Sequence, residues 1–205
     1  MNTWFQSDFH FFHANIIRYC HRPFKDVYEM NKEIIRRHNE RVKQEDTIFF
    51  LGDFGFFASK NASIRGEGEP YNPEELLNQM NGKQWYFIQG NHDKASNKFK
   101  PKTDTIIMNQ NGIRIQLIHD SQYAKIDYDL ILCGHHHNVW KVKELFYNGQ
   151  IRLIINCSCD VWNFYPIKLD EILAIYYRWK KERSAIKKWE HPKILNDLNK
   201  EFFSG

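Results

Sequence analysis

Three consecutive polar residues, Asn91, His92 and Asp93, follow Gly90 shortly after the apolar run at 85–88. Asn91 offers a neutral amide oxygen, His92 a ring nitrogen that titrates near physiological pH, and Asp93 a carboxylate that can orient its neighbour. Taken alone, this segment fits a polar loop after a strand as well as it fits a binding site. The choice between the two depends on the rest of the chain.

The same design, an apolar run followed by His or Asp, occurs at four other places. These are Asp8 and His10 after 3–5, Gly52 and Asp53 after 48–51, His119 and Asp120 after 115–118, and Gly134, His135, His136 and His137 after 130–133. All of the donor atoms are oxygen or nitrogen. Five strand ends that carry such donors predict a metal cluster at one edge of a sheet.

The elements that must position these donors are short strands separated by helices and hairpins. Strands are predicted at 2–7, 48–51, 85–89 and 129–133, and hairpins at 104–118 and 139–155, with Asn-Gly turns at 111–112 and 148–149. A helix is predicted from Asp26, its N-cap, to Lys43, and a second from Pro73 to Met80. If the backbone after the first strand stays extended, Asp8 and His10 lie on one side of it.

Other segments have less regular patterns. Residues 54–72 contain Gly55, Gly66, Gly68 and Pro70 without any period, which predicts a loop over the carboxyl edge of the sheet. His38 stands among charged residues, so we expect it to be solvated. Residues 172–176 fit a strand or a buried helix, 180–188 a basic helix, and the stretch after Pro192 a last helix.

Composition indicates a globular protein of 205 residues with one core. Its 42% hydrophobic and 26% charged residues are ordinary for that class, and its sixteen Phe predict a core rich in aromatic rings. The net charge of +4 is compatible with a phosphate-bearing substrate, although nucleic-acid-binding proteins usually concentrate more positive charge. We expect a single domain over 1–205, with a helical C-terminal tail from about 180.

The cysteines and the first residues bear on location. Cys157 and Cys159 are separated by one residue, too few for an ordinary bridge, and with Cys20 and Cys133 they show no C-x-x-C spacing. Free buried thiols in a reducing compartment are therefore expected. Residues 1–10 lack the basic and apolar parts of a signal peptide, and no apolar run approaches the length of a membrane helix. The sequence thus predicts a cytoplasmic protein without membrane partners.

The ordered set Asp8-x-His10, Gly52-Asp53, Gly90-Asn91-His92-Asp93, His119 and Gly134-His135-x-His137 resembles the calcineurin-like metallophosphoesterases. The resemblance runs from residue 7 to about 137. Residues 8–17 and 160–166 also look like the small phage and bacterial members. It implies an α/β (α+β) fold, a four-layer αββα sandwich with two metals at the loops on its carboxyl edge.

Roles can be transferred by motif. The resemblance implies that Asp8, His10 and His137 hold the first metal, that Asn91, His119 and His135 hold the second, and that Asp53 bridges both. A carboxylate suits a bridge because its two oxygens can serve cations about 3.5–4 Å apart. The donor set contains no sulfur, which favours two divalent cations in open coordination, manganese first, with iron, zinc or nickel as alternatives.

The implied reaction is in-line attack on phosphorus by a hydroxide held between the two metals. His92 is outside the ligand set and is the expected proton donor to the leaving alkoxide; the alternative is a histidine that hydrogen-bonds to a ligand. Asn91, His92 and His13 are the expected substrate contacts. A phosphodiester is the expected substrate, either a small or cyclic nucleotide or a nucleic-acid end.

The sequence departs from the family pattern at three places. The segment 52–56 lacks the second Asp and the Arg of the protein-phosphatase branch, which disfavours that activity and leaves the partner of His92 open. His136 stands where the family usually has Thr or Ser, and is expected to point away from the metals. His119 is followed by Asp120, which makes its assignment the weakest of the seven ligands.

Three other interpretations remain open at this stage. The chain could be a phosphomonoesterase of the same family. It could be a nucleic-acid-binding module with a vestigial metal site, contacting phosphates through Lys180, Lys181, Arg183, Lys187 and Lys188. The histidines could also hold only a structural zinc. The sequence does not reveal the natural substrate, the native metal or the oligomeric state.

Overall fold

The structure, a computed structural model, describes residues 1–57, 68, 72–95 and 99–203, which form two β-sheets and five α-helices. The strands of the first sheet lie in the order β3 (Gln84–Phe87), β2 (Thr47–Phe50), β1 (Thr3–Gln6) and β9 (Ile167–Lys168). Those of the second lie in the order β4 (Thr105–Gln110), β5 (Ile113–Ile118), β6 (Leu130–Cys133), β8 (Gln150–Asn156) and β7 (Val142–Tyr147). The helices are α1 (Ala14–Tyr19), α2 (Val27–Arg41), α3 (Pro73–Leu77), α4 (Leu169–Ser184) and α5 (Lys193–Phe203).

Both sheets are mixed, and each has a parallel centre. β1, β2 and β3 are parallel neighbours, and β9 pairs with β1 in the antiparallel direction. In the second sheet β5, β6 and β8 are parallel, and the hairpin strands β4 and β7 form antiparallel edges. Because the carboxyl ends of parallel strands lie at one edge of a sheet, the loops that follow β1, β2 and β3 lie side by side, as do those after β5, β6 and β8. The predicted α/β fold with two sheets is confirmed.

The two sheets face each other across the largest apolar core, and alternation along the strands decides which residues enter it. On β2, Phe49 points into this core and stacks on Phe5, with ring centroids 5.5 Å apart. Its neighbour Phe50 points to the opposite face, where it packs against Phe9 beneath α1 and α2. The predicted aromatic core is confirmed, since six of the twelve largest fully buried side chains in the described part of the chain are Phe.

Helices α4 and α5 belong to the same core as the facing sides of the two sheets. Ile172, Tyr176 and Trp179 of α4 and Ile194 of α5 are buried there. The sequence pattern of residues 172–176 allowed a strand or a buried helix, and the structure shows a buried helix. Among the described residues, no helix is both long and apolar enough to span a bilayer.

Most local predictions are confirmed. The Asp26 side chain accepts a hydrogen bond from the backbone N–H of Glu29 and caps α2, as predicted. In the turn of the β4–β5 hairpin, Asn111 and Gly112 both have positive φ, as a type I′ turn requires, and the β7–β8 turn is built in the same way. Helix α3 ends at Leu77, three residues before the predicted end. The loop predicted over 54–72 lies mostly outside the described residues.

His38 is not solvated, which corrects the prediction. It is fully buried, with Nδ1 2.6 Å from Gln6 Oε1 and Nε2 2.8 Å from the Asn81 carbonyl oxygen, and it stacks on Trp85. The 3.6-residue period of α2 explains this, because position 38 lies one turn beyond Ile34 on the buried stripe. The charged neighbours in sequence lie on the other faces of the helix.

Candidate metal centre

The loops that follow five strands bring the predicted donors to one place. Asp8 and His10 come after β1, Asp53 after β2, Asn91 after β3, His119 after β5, and His135 and His137 after β6. The loop after β8 adds Asp160, and all of these loops lie at the carboxyl edges of the two sheets. The convergence predicted from the sequence is therefore present in the fold.

One group of donors joins Asp8, His10 and His137, whose potential ligand atoms all lie within 4.8 Å of one another. Asp8 and His10 are fully buried beneath the edge. The Asp8 carboxylate accepts hydrogen bonds from Ser7 Oγ at 2.6 Å and from the backbone N–H of His135 at 3.0 Å. These contacts fix its orientation and connect the loop after β1 to the loop after β6.

A second group surrounds Asp53. Its Oδ2 lies 3.3 Å from His119 Nε2 and 3.6 Å from His10 Nε2, so this carboxylate stands between the two groups. Asn91 Oδ1 lies 3.0 Å from His119 Nε2 and 2.9 Å from His135 Nδ1. The seven residues predicted as ligands thus form one connected cluster with Asp53 between its two halves.

Unusual backbone conformations are concentrated in this cluster. Asp8, His10, Asp53, His135 and His137 all have φ between 42° and 69°, in the left-handed region. Residues other than glycine adopt such angles rarely, and strain of this kind is characteristic of functional sites. The extended backbone expected between Asp8 and His10 is therefore wrong. Both residues have left-handed φ instead, and their potential ligand atoms still lie within 4.8 Å of each other.

Two glycines allow the loops to approach one another. A Cβ at Gly90 would overlap the Asp53 carboxylate and its backbone nitrogen. A Cβ at Gly134 would lie 2.7 Å from Asp8 Oδ2 and 2.5 Å from Ser7 Oγ. Since real Cβ atoms do not come this close, the glycines of both motifs are required by packing against the two central carboxylates.

Asp93 holds two loops together. Its position next to His92 had suggested that it orients that ring, but its carboxylate accepts from backbone N–H groups instead. One carboxylate oxygen accepts from the backbone N–H groups of Gly90 and Asp53, each at 2.8 Å, and the other from Phe54 at 3.1 Å. Burial and the nearby Asp53 charge raise the pKa of Asp93 to about 6, against the opposing effect of the three donors.

A buried ion pair that sequence reasoning did not assign lies behind His137. Asp160 accepts hydrogen bonds from His137 Nδ1 at 2.9 Å, from Arg22 Nε at 2.8 Å and Nη2 at 2.9 Å, and from Ser158 Oγ at 3.1 Å. Arg22 also donates to the carbonyl oxygens of Asp8 and Phe9. Because Nδ1 of His137 is engaged, Nε2 is the nitrogen left to face a cation. The only signal in the sequence was the similarity of 160–166 to small relatives.

Charges in the cluster shift several pKa values. Burial lowers the pKa of His10 well below its usual value, so its ring is neutral. Burial acts in the same direction on His119 and is the largest single effect there. The hydrogen bond to Asp53, the charges of Asp8 and Asp53 and the hydrogen bond to the Leu51 carbonyl together outweigh it and raise the pKa of His119 to about 9. Burial alone would raise the pKa of Asp160, but the Arg22 guanidinium and the hydrogen bond from His137 hold it well below its usual range.

The remaining predicted site residues surround this centre. The rings of His92 and His10 are 4.9 Å apart, and those of His92 and His13 5.7 Å, while the backbone N–H of His92 donates to Asp53 Oδ1 at 2.8 Å. His136 points away, as expected: its Nε2 lies 2.6 Å from Ser121 Oγ and its ring packs on Trp140. His13 and His92 are therefore at the centre, and His136 is behind it.

The donor set fits divalent cations. Both ring nitrogens of His10 are buried and lack a hydrogen-bond partner among the described residues, although native structures rarely leave such atoms unpaired. A neutral imidazole with a free electron pair, aimed at two carboxylates, is what a cation requires. Cys20, Cys133, Cys157 and Cys159 are all free and buried, as expected.

The five basic residues considered for nucleic-acid binding are not all free to contact phosphates. Arg183 pairs with Glu144 at 3.3 Å, and both side chains are about nine-tenths buried. Glu144 also accepts from Trp179 Nε1 at 2.7 Å. One of the five cations considered for phosphate binding is thus part of the packing between α4 and β7.

Comparison with known proteins agrees with the motif pattern. The model of the calcineurin-like phosphoesterase superfamily domain matches residues 1–157. The uncharacterized protein MJ1445 of Methanocaldococcus jannaschii is 40% identical over 181 residues, which is 87% of this chain and 93% of that protein.

One of the similar solved structures shares the fold. The protein AQ665 of Aquifex aeolicus, whose function is unknown, superposes with a TM-score of 0.59 at 24% identity, covering 85% of this chain and 98% of its own. Yfce, a phosphoesterase from E. coli, gives a TM-score of 0.41 at 16% identity, with 77% and 78% of the two chains covered.

Proposed function

The chain belongs to the calcineurin-like phosphoesterase superfamily, whose members are metal-dependent phosphoesterases, and we propose that it hydrolyses phosphodiesters. The observation that carries the proposal is the cluster in which Asp53 stands within 3.6 Å of both His10 and His119 while the His10 ring nitrogens have no other partner in the described structure. Such a cluster has no evident role in folding, because its strained loops and buried polar atoms cost stability.

Two divalent cations fit the two halves of the cluster. Asp8, His10 and His137 would hold one, and Asn91, His119 and His135 the other, with Asp53 shared between them. We propose manganese, with iron, zinc and nickel as the alternatives. When bound, the cations would supply Lewis acidity toward the phosphate oxygens and lower the pKa of water.

We propose that His92 protonates the leaving alkoxide. Its backbone N–H is anchored on Asp53 Oδ1, while its half-buried ring projects beside His10 and His13. This places a titratable ring next to the cluster but outside the ligand set, as general acid catalysis requires. His13 and Asn91 are the proposed contacts to the phosphate group.

The exposed side of the cluster supports a diester over a monoester. Asn91 is exposed and the His135 side chain is 38% exposed, so a second substituent on phosphorus has room to leave the site. A site built for monoesters would be expected to close around the terminal phosphate oxygens.

The test compares bis(p-nitrophenyl) phosphate with p-nitrophenyl phosphate in metal-free protein supplied with manganese, iron, zinc or nickel. We expect faster turnover of the diester and loss of activity by about 100-fold or more in Asp53→Asn, since the shared ligand is removed. Asp46→Asn is the matched control, because Asp46 is also fully buried but precedes β2, whereas Asp53 follows it. Preference for the monoester would favour phosphomonoesterase activity, and inertness toward both esters with every metal would refute the proposal.

A further inference from the structure

A cavity of about 630 Å³ opens beside the half of the cluster that contains Asn91, His119 and His135, and these three residues form part of its wall. The rest of the wall comes from the loop after β3, from the start of β4, from β5 and from the loop after β5. Its volume lies in the range of pockets that hold small ligands and cofactors. A substituent on a phosphate bound at Asn91 would extend into it.

Two lysines supply positive charge to this cavity. Lys94 and Lys125 line it, both are exposed, and neither ammonium group has a carboxylate within ion-pair distance in the described structure. Elsewhere, Lys168 and Lys193 do pair with Asp170 and Asp197. Unpaired lysines beside a phosphoesterase centre suit a second anionic group, distinct from the phosphate under attack.

Two acidic residues, Asp104 and Asp120, also line the cavity, and they differ in how they affect the positive charge of the lysines. The Asp120 carboxylate accepts from the backbone and side-chain nitrogens of Gln122 and lies 3.7 Å from His135 Nε2. It is thus directed toward the histidines. The Asp104 carboxylate pairs with no other residue in the described part of the chain, so it remains an acceptor for hydroxyl or amino groups.

An aromatic ring completes the wall. Tyr123 is 67% exposed although it ends a short 3-10 helix (Ser121–Tyr123) whose end is held by Gln116. Gln116 Oε1 accepts from the backbone N–H of Lys125 at 2.8 Å, and its Nε2 donates to the Tyr123 carbonyl oxygen at 3.3 Å. The ring is therefore presented from a fixed backbone, as an aromatic platform for a planar base should be.

We propose that this cavity binds a nucleotide that carries a second phosphate, so that the substrate is a nucleotide-containing phosphodiester. Lys94 and Lys125 contact the second phosphate, Asp104 a sugar hydroxyl or base amino group, and Tyr123 the base. Each part of a nucleotide thereby has a group of matching chemistry on the wall. The inference rests on the proposed hydrolysis, because it assumes that the scissile phosphate lies at the Asn91 side of the cluster.

The test measures binding by calorimetry, which does not depend on turnover. Thymidine 3′,5′-bisphosphate, thymidine 5′-phosphate and inorganic phosphate are titrated into the manganese-supplemented protein. We expect the bisphosphate to bind about tenfold or more tightly than the monophosphate, because a charged contact is added, and inorganic phosphate to bind most weakly. Lys125→Ala and Lys94→Ala should each reduce the ratio of bisphosphate to monophosphate affinity. Tyr123→Ala should weaken the binding of both nucleotides about fivefold or more.

The control is Lys181→Ala, which removes an exposed lysine of α4 and should leave all three affinities unchanged. Equal affinity for the bisphosphate and inorganic phosphate, or unchanged affinities in all three cavity variants, would overturn the inference while turnover of bis(p-nitrophenyl) phosphate left the proposed hydrolysis intact. Conversely, the expected affinities in a protein that hydrolyses no ester would refute the hydrolysis and retain the nucleotide site.

A competition experiment distinguishes a small nucleotide from a nucleic-acid end as the natural ligand. The dinucleotide pTpT and a ten-residue oligothymidylate compete for the site: equal affinity indicates a small nucleotide, and tighter binding of the oligomer indicates a nucleic-acid end.

Discussion

Substitution of Asp160 by Asn tests whether the buried pair behind His137 tunes a metal site or only stabilises the fold. Oδ2 of Asp160 accepts from Arg22, His137 and Ser158, and Oδ1 accepts from Arg22 Nε. An amide can keep only one of these oxygens, and its NH2 group cannot accept. The better orientation of the Asn side chain places its amide oxygen where Oδ2 now accepts three hydrogen bonds. Its NH2 group then faces Arg22 Nε.

Two magnitudes follow from this geometry. The negative charge that pairs with the fully buried Arg22 is lost, and breaking a buried ion pair costs about 3–5 kcal/mol. We expect about 3 kcal/mol, at the lower end, because the amide oxygen keeps three donors and Arg22 keeps the Asp8 and Phe9 carbonyls. The contact from His137 Nδ1 becomes a neutral hydrogen bond, so metal affinity should fall by about 10- to 100-fold, or about 1.4–2.8 kcal/mol.

The assays are urea unfolding in the presence of a chelator and calorimetric titration of manganese into the metal-free protein. Asp46→Asn is again the control, because Asp46 is buried and its carboxylate accepts from Asn2 N, Trp4 Nε1 and Lys43 N at 2.6–3.1 Å, before β2. Both variants should lose stability, but only Asp160→Asn should lose affinity at one of two manganese sites. If both variants bind manganese as tightly as the parent protein, Asp160 acts on the fold alone and the reasoning is refuted.

Two further predictions concern histidines with different environments. His92→Ala should lower kcat by about 10²–10⁴ for a dinucleotide, whose alkoxide leaving group needs a proton, and by much less for bis(p-nitrophenyl) phosphate; equal losses in a two-substrate assay would instead indicate a structural role. For His38, burial lowers the pKa from 6.5 to about 4, so the unfolded chain binds the extra proton first as the pH falls, and stability is lost between about pH 6.5 and pH 4. The loss approaches about 3 kcal/mol at the acid end, and urea unfolding at several pH values should show a shallower dependence in His38→Gln; identical slopes would contradict it.

The elements of the fold were largely readable from the sequence because their signals are local. Asp26 as N-cap and the two Asn-Gly turns depend on a few neighbouring residues, and each was predicted at its observed place. His38 was misjudged for the opposite reason. Its burial depends on which face of α2 meets Gln6 and Asn81, residues 32 and 43 positions away.

The sequence by itself determined the chemical identity of the candidate site, since Asp, His and Asn after five apolar runs left few other uses for so many oxygen and nitrogen donors. Only the tertiary structure decided how they are held. Three features arise where separate loops meet: the left-handed φ angles of Asp8 and His10, the overlap that excludes a side chain at Gly90, and the pairing of Arg22 with Asp160 across 138 positions. Contacts between distant segments leave no periodic or adjacent signal, because they are fixed by the packing of the sheets that carry the loops.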